Sequence, residues 1–508
     1  MNNGKICVSI CTDTADGLIK LLRRAEEVAD VIEVRLDGLK PDQVASAFDR
    51  LQSEKTILLT IRPKSQGGKT DYSIQDRMSL WTHYAMHKRI DHKAIWIDHE
   101  TDLIPKKEFL FWAEDCFVIR SQHDMDGVPD DLNKVYDRTV SDTEVGKIAV
   151  QAKDITDTIG IWNLLKRANE EGKKIIPVAM GEAGKWTRIL GSAHGAFMTY
   201  AALETGSETA PGQISVEDMT DVFRVKEHDE NTGVYGIVAG NTSYSVSPWM
   251  HNAAFKAAGL NSVFVPLQVA DLGAFFSRMV LPETREVDIN FRGFSVTNPH
   301  KQTIIPFLDE VDETAARIGA VNTVKIDDGK LYGYNTDAPG FITSLKQVFG
   351  DLAGVRVAVY GAGGAARACI YGLQHESAVV TLVGRNQEKG QALADEFEIE
   401  FLTPSSVKHP LANDFDIVVN ATPLGTAGSS VNFAILETEQ LRGIKLVYDL
   451  VYNPSETTLI REAKDAGVPT IGGLEMLIAQ GVKQFEIWTG SIAPIDAMRT
   501  AVRKRLQI

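Results

Sequence analysis

The chain has 508 residues, more than one hydrophobic core usually organises, so two or three domains are expected. Hydrophobic residues at 44% and charged residues at 24% are ordinary globular values and leave no tract biased toward disorder. A formal net charge of -15 argues against a broad nucleic-acid surface and against anionic membranes, so anionic small molecules must be met by local arginines and lysines.

From the N-terminus, residues 5 to 222 alternate apolar strand candidates with helical stretches: KICVSIC, DVIEVRLD, TILLTIR, AIWIDHE, CFVIRSQH, GKIAVQAK, KIIPVAMG and a last turn near Ala210 to Ile214. Seven or eight such repeats fit a parallel barrel better than an open sheet. No signal or transit pattern precedes the first strand, and no apolar run is long enough to span a bilayer, so a cytosolic location is expected, or a plastid stroma after processing. The scattered Cys7, Cys11, Cys116 and Cys369 lack a metal-site pattern and are expected to be reduced, structural thiols, with no metal bound.

Charges on these strands carry the chemical information. In DVIEVRLD, Glu33, Arg35 and Asp37 share one face and Ile32, Val34 and Leu36 the other. A barrel strand is buried on both sides, so charges on the inner face have to be paired or used. Lys147 opens KIAVQA, where desolvation and neighbouring arginines would leave a free amine able to form an imine with a ketone. The plain alternative is a strand-end lysine that reaches solvent. His123 ends FVIRSQH, the end of a barrel strand where active sites assemble, and suits proton transfer. Arg62 and Arg188 are candidate forks for a carboxylate, or else salt bridges that tie loops.

The ordered motifs VIEVRLDG, LLTIRPKSQGGK, IDHE, SQHD, GKIAV, MGEAGKWTR and TAPGQ resemble type I 3-dehydroquinate dehydratase over residues 5 to about 222. The resemblance implies a (β/α)8 TIM barrel with Lys147 as the Schiff-base lysine and His123 as general acid/base. It further implies that Glu33, Arg35, Arg62, Arg188, Thr209 and Gln213 bind the substrate, and that Asp98 and Glu100 tune His123. Gln66 and Thr209 stand where Glu and Ser are commoner.

The polar run KEHDEN, Lys226 to Asn231, is the expected linker, ending a barrel domain of residues 1–225. Beyond it, residues 232–340 are read as a substrate lobe, 341–475 as a nucleotide lobe, and 476–508 as helices that return to the substrate lobe. The turn Gly361, Ala362, Gly363, Gly364, Ala365 follows the strand VRVAVY and opens a helix, the arrangement that offers backbone amides to a pyrophosphate. The next strand, AVVTLVGRN, ends without an acidic residue for a ribose 2′-hydroxyl and offers Arg385 instead, which suits the 2′-phosphate of NADP. The loops NTSYSVSPWMHN, GFSVTNPHK, GAVNT and GYNTD supply hydroxyls and amides for a polyhydroxylated ring. Lys301 and Asp337 are a candidate proton-relay pair, or a salt bridge with Asp337 capping a helix.

With NATPLG, YDLVYNPSETTL and GGLEMLIAQG, these motifs resemble shikimate dehydrogenase over about Gly233 to Ile508. That resemblance implies a two-lobed α/β fold with a Rossmann lobe. Shikimate would meet Ser245, Ser247, Thr297, Asn322, Tyr452 and Gln480, with Lys301 and Asp337 catalytic. NADP would meet the glycine turn, Arg385, Asn420 and Thr422. The two resemblances together imply successive reactions on small-molecule substrates, 3-dehydroquinate to 3-dehydroshikimate to shikimate, within aromatic amino-acid biosynthesis. The alternatives are a second half that prefers quinate, or one inactive domain that serves as a binding module.

Overall fold

The computed structural model describes residues 4–87, 95–103, 117–141, 143–407 and 411–508. Cys116 lies outside them. Two compact units are present, one formed by residues 1–233 with 265–290 and the other by residues 234–264 with 291–508.

In the first unit eight parallel strands run β1 (Ile6–Ile10), β2 (Val31–Arg35), β3 (Thr56–Thr60), β4 (Ile95–Glu100), β5 (Phe117–Asp124), β6 (Val145–Gln151), β7 (Ile175–Met180) and β8 (Thr199–Ala202). Their order, β7-β6-β5-β4-β3-β2-β1-β8, is that of a barrel, and a backbone bond from Phe197 N–H to Ile175 O (2.9 Å) spans the remaining seam. The strands are largely buried on both faces because helices cover the outside and side chains fill the inside. Cys7, Val31, Leu58, Ile119, Val145 and Ile176 form the apolar part of that filling. One strand departs from the sequence expectation. The eighth is Thr199–Ala202, and the stretch near Ala210 to Ile214 is a loop joined to it by the isolated Ala202–Ser215 bridge.

A second sheet is built from β9 (Gly233–Ala239), β10 (Ser262–Gln268), β11 (Phe291–Val296), β12 (Glu310–Val311), β13 (Thr323–Asp327) and β14 (Lys330–Tyr334), in the mixed order β10-β9-β11-β13-β14-β12. Helices Leu474–Thr489 and Ile495–Leu506 lay Phe485, Trp488, Met498 and Val502 against Tyr235 and Ile237 of this sheet. A third sheet holds β15 (Arg356–Tyr360), β16 (Val379–Val383), β17 (Glu400–Leu402), β18 (Ile417–Asn420), β19 (Leu446–Asp449) and β20 (Thr470–Gly472), all parallel, in the order β17-β16-β15-β18-β19-β20. The direction of progression reverses beside β15, the switch point at which doubly wound sheets bind ligands. Register aligns Tyr360 with Val383 on one side and Asn420 on the other, so the loops after three strands start level.

Candidate active sites

Inside the barrel, the side-chain parity of β2 to β6 gathers the charged residues above the apolar filling. Glu33 Oε1 accepts from Thr60 Oγ1 (3.0 Å) and Lys147 Nζ (3.4 Å), and Oε2 accepts from Ser9 Oγ. Lys147 is the third residue of β6, buried, so the solvent-reaching alternative is removed. Its Nζ also lies 3.2 Å from Asp98 Oδ2 and 3.9 Å from the centroid of the Tyr200 ring. The ammonium is therefore partnered by two carboxylates and an aromatic face, not by the arginines expected from sequence. Burial opposes the charge on Glu33 and Asp98, but nearby cations outweigh it. Lys147 and Arg35 bring Glu33 below the usual carboxylate range, and Arg62, Lys147 and the Ser121 hydroxyl bring Asp98 to about 2.

The arginines divide by role. Arg35 is locked bidentately on Asp37 (2.8 and 2.7 Å), whose carboxylate also accepts from the Arg62 and Lys69 amides. Arg62 spends Nη1 on Ser121 Oγ (2.7 Å) and Glu100 (3.2 Å), and Nη2 on Asp98 (2.6 Å). Arg188 is different. It is 3% exposed, among the described residues its Nη2 donates only to Pro211 O (3.3 Å) and its Nε has no partner, and burial lowers it to about 10. A buried guanidinium without a counter-ion is a receptor waiting for an anion.

His123 lines the same cavity as Lys147 and Arg188, together with Thr209 and Gln213. Thr209 N–H donates to Gln213 Oε1 (2.8 Å), which fixes the amide at the rim. Gln66 accepts from the backbone N–H of His123 (3.0 Å), while Nδ1 of the ring has no partner among the described residues. Burial, then Arg62, Lys147, Arg35 and Arg188, hold the imidazole well below its ordinary range, so it is a neutral base. The expectation that Asp98 and Glu100 act on His123 is not met by any hydrogen bond. Asp98 serves Arg62, Lys147 and Ser121, and Glu100 serves Arg62 and Arg77 (3.1 Å). Burial and the neighbouring Asp98 push the Glu100 carboxyl up to about 8 against the pull of these arginines. Ser9 and Tyr200 were not singled out from sequence, although inward parity on β1 marks Ser9.

In the second unit a cleft of about 1610 Å³ is bounded by Tyr244, Thr297, Lys301, the Gly361–Ala365 turn, Arg385, Lys389, Thr422 and Tyr452. Lys301 Nζ donates to Asp337 Oδ2 at 2.6 Å, and Asn322 Nδ2 donates to Asp337 Oδ1 (2.8 Å) and Thr336 Oγ1 (2.9 Å). Asp337 opens the helix Asp337–Phe349 without capping it, since its carboxylate is spent on Lys301 and Asn322. Gly361 follows β15 with φ +116°, and a Cβ there would meet Ala421 O at 2.9 Å, so only glycine fits. The helix Gly364–His375 points its first amides at the cleft, where nothing lies within 4 Å of a Cβ built on Gly363.

Four expected residues, Ser245, Ser247, Gln480 and Asn420, are not among those that line this cleft. Ser245 and Ser247 are buried at the start of the helix Ser247–Ala257, where Ser245 Oγ accepts from Ser247 N–H (3.2 Å). Gln480 sits in the helix Leu474–Thr489 and donates to Leu477 O (2.7 Å). Asn420 is fully buried, donates to Asp449 Oδ1 (2.9 Å) and Leu424 O (3.2 Å), and accepts from Thr422 N–H (3.0 Å), so it shapes the turn that carries Thr422.

Comparison with known proteins follows the same division. The type I 3-dehydroquinase family model matches residues 6–230. The shikimate dehydrogenase substrate binding domain matches residues 237–324, shikimate / quinate 5-dehydrogenase matches 343–433, and the shikimate 5′-dehydrogenase C-terminal domain matches 473–503. A chloroplastic bifunctional 3-dehydroquinate dehydratase/shikimate dehydrogenase of Arabidopsis thaliana is 33% identical over 97% of this chain and 83% of its own length. The NADP(+) shikimate dehydrogenase of Methanocaldococcus jannaschii is 40% identical over 53% of this chain and 96% of its own. A solved shikimate dehydrogenase in complex with NADP+ superposes with a TM-score of 0.51 at 38% identity, covering 55% of this chain and 97% of that one. With one relative matched over 97% of this chain and 83% of its own length, and a family model on each unit, the chain belongs to the family of bifunctional 3-dehydroquinate dehydratase/shikimate dehydrogenases.

Proposed function

We propose that the barrel dehydrates 3-dehydroquinate through an imine on Lys147 and that the second unit reduces the resulting 3-dehydroshikimate to shikimate with NADPH. What carries this function is one buried cavity that holds an amine, a neutral imidazole and a guanidinium without a counter-ion. Arg188 takes the substrate carboxylate, with Gln213, Thr209, Arg35, Arg62 and Glu33 on the hydroxyls and ring. The Lys147 nitrogen attacks the ketone and forms the C–N bond, and two of the three ammonium protons leave with the carbonyl oxygen as water, so that an iminium remains. The resulting iminium acidifies the adjacent carbon, whose proton passes to His123, the β-hydroxyl departs as water with that proton returned by His123, and a water then adds to the iminium carbon and breaks the C–N bond, releasing 3-dehydroshikimate and Lys147. Glu33 and Asp98, which already flank Nζ, balance the cation throughout.

In the second unit, the glycine turn, the open helix N-terminus, Thr422 and the cationic rim of Arg385 and Lys389 fit a phosphorylated dinucleotide. NADPH, when bound, supplies the hydride. Lys301 donates the proton that the carbonyl oxygen requires as charge develops on it, and Asp337 holds that ammonium in place. Thr297 and Tyr452 on the cleft wall form the ring-binding side, with Ser245, Ser247 and Gln480 turning to the ring when it binds and Asn322 holding Asp337. A cytosolic or plastid-stromal location accompanies this function; the Arabidopsis relative is named as chloroplastic. The test is to supply 3-dehydroquinate with NADPH, and separately with borohydride. NADPH should be consumed as shikimate forms, and borohydride should trap ligand on Lys147. A trapped adduct on another residue, or none, would refute the imine.

A further inference from the structure

Behind the Lys301–Asp337 pair lies a closed polar chain that the proposed reaction does not use. Gln484 is one helical turn beyond Gln480 on the helix Leu474–Thr489 and is 2% exposed. Its Nε2 donates to the backbone carbonyl of Asn322 (3.1 Å). A carbonyl oxygen accepts and cannot donate, so the orientation of the amide is settled, and Oε1 faces the other way. There it accepts from Ser295 Oγ (2.6 Å) and from Nε2 of His251 (3.1 Å). Because Oε1 can only accept, the His251 proton sits on Nε2. Nδ1 is then a bare acceptor, in accord with its having no partner among the described residues. The ring is held between Phe264 (centroids 4.6 Å apart) and Trp488 (5.0 Å) and is fully buried. Burial brings His251 to about 3, against the lift from Gln484, so the ring is uncharged across the working range.

At its other end the chain meets the reaction site. The Asn322 side chain is filled on every valence by neighbours: Nδ2 donates to Asp337 and Thr336 Oγ1, and Oδ1 accepts from Thr336 N–H (2.8 Å) and Thr323 Oγ1 (2.8 Å). Fixing the Asn322 backbone therefore fixes the angle at which Asp337 presents Oδ2 to Lys301. We infer that Gln484 is a positioning residue for ketone reduction, tying the Asn322–Asp337–Lys301 array to a His251 ring locked as the Nε2–H tautomer. This rests on the assignment of Lys301 and Asp337 to the reducing site.

The test uses the full chain. In the wild type labelled with ¹⁵N-histidine, NMR should find His251 with a protonated Nε2 and a bare Nδ1, and no titration between pH 8 and 5. A proton on Nδ1, or a ring that titrates in that window, would overturn the lock, and this measurement needs no variant. In Gln484→Met the turnover number for dehydroshikimate reduction should fall about tenfold, since a proton donor loses alignment, not existence. The KM for NADPH and the dehydration rate should stay within twofold, a split that loss of folding would not give. Wild-type reduction in folded Gln484→Met, beside an inactive Asp337→Ala, would remove the bridge alone. Normal reduction by Asp337→Ala would remove the site on which it rests, and the inference with it.

Discussion

Arg188 shows what one residue costs and contributes. Among the described residues its guanidinium is buried with one long backbone hydrogen bond and no carboxylate, while Arg35 and Arg62 in the same cavity are paired. An unpaired buried cation destabilises the fold and is kept where a ligand will neutralise it. Arg188→Met should therefore raise the KM for 3-dehydroquinate about tenfold to a hundredfold, the worth of a charge-assisted bidentate contact. The same variant should unfold at a higher temperature. Steady-state kinetics and calorimetry on one preparation check both, and a less stable variant with unchanged KM would make Arg188 structural. Sequence alone could not rank Arg188 above Arg62, because the distinction lies in the partners. Arg62 finds Asp98, Glu100 and Ser121 on β4 and β5, far off in the chain. For the same reason Asn420 read as a cofactor ligand from its motif, yet its amide is spent within its own turn and on Asp449.

Elements were legible where burial leaves a period. In β2 the alternation of Glu33 and Arg35 with Ile32 and Val34 correctly placed the charges inside, because a two-residue period admits only two faces. β8 was missed since four residues, Thr199–Ala202, carry too little pattern and small side chains blur what there is. The polar run Lys226 to Asn231 reads as a free linker, but its centre is anchored. His228 is 2% exposed with Nε2 2.6 Å from Phe223 O, and Lys226 pairs with Asp30 (2.7 Å). Burial lowers His228 to about 4. A histidine with a depressed folded pKa stabilises the fold above its unfolded value near 6.5 and loses that contribution as pH falls toward 4. His228→Gln should flatten the pH dependence of stability in this window, the wild type losing up to about 3 kcal/mol more between pH 7 and 4. Urea denaturation at several pH values measures it. Parallel curves for the two proteins would mean that the ring charges freely in place.

For the whole molecule, the two units have separate strand orders, separate cores and separate charged arrays. The glycine turn after β15 and the charged parity of the barrel strands made this division visible in sequence. The polar chain from His251 through Gln484 stayed hidden because it joins residues 233 positions apart. If the chemistry divides as the residues do, each reaction should be lost without the other. The most direct measurement gives two full-length variants 3-dehydroquinate and NADPH and follows both intermediate and cofactor. Asp337→Ala should still dehydrate, accumulate 3-dehydroshikimate and leave NADPH unused. Lys147→Ala should leave 3-dehydroquinate untouched yet reduce added 3-dehydroshikimate at the wild-type rate. If either substitution silenced both reactions in a protein that remained folded, one composite site would have to replace the two.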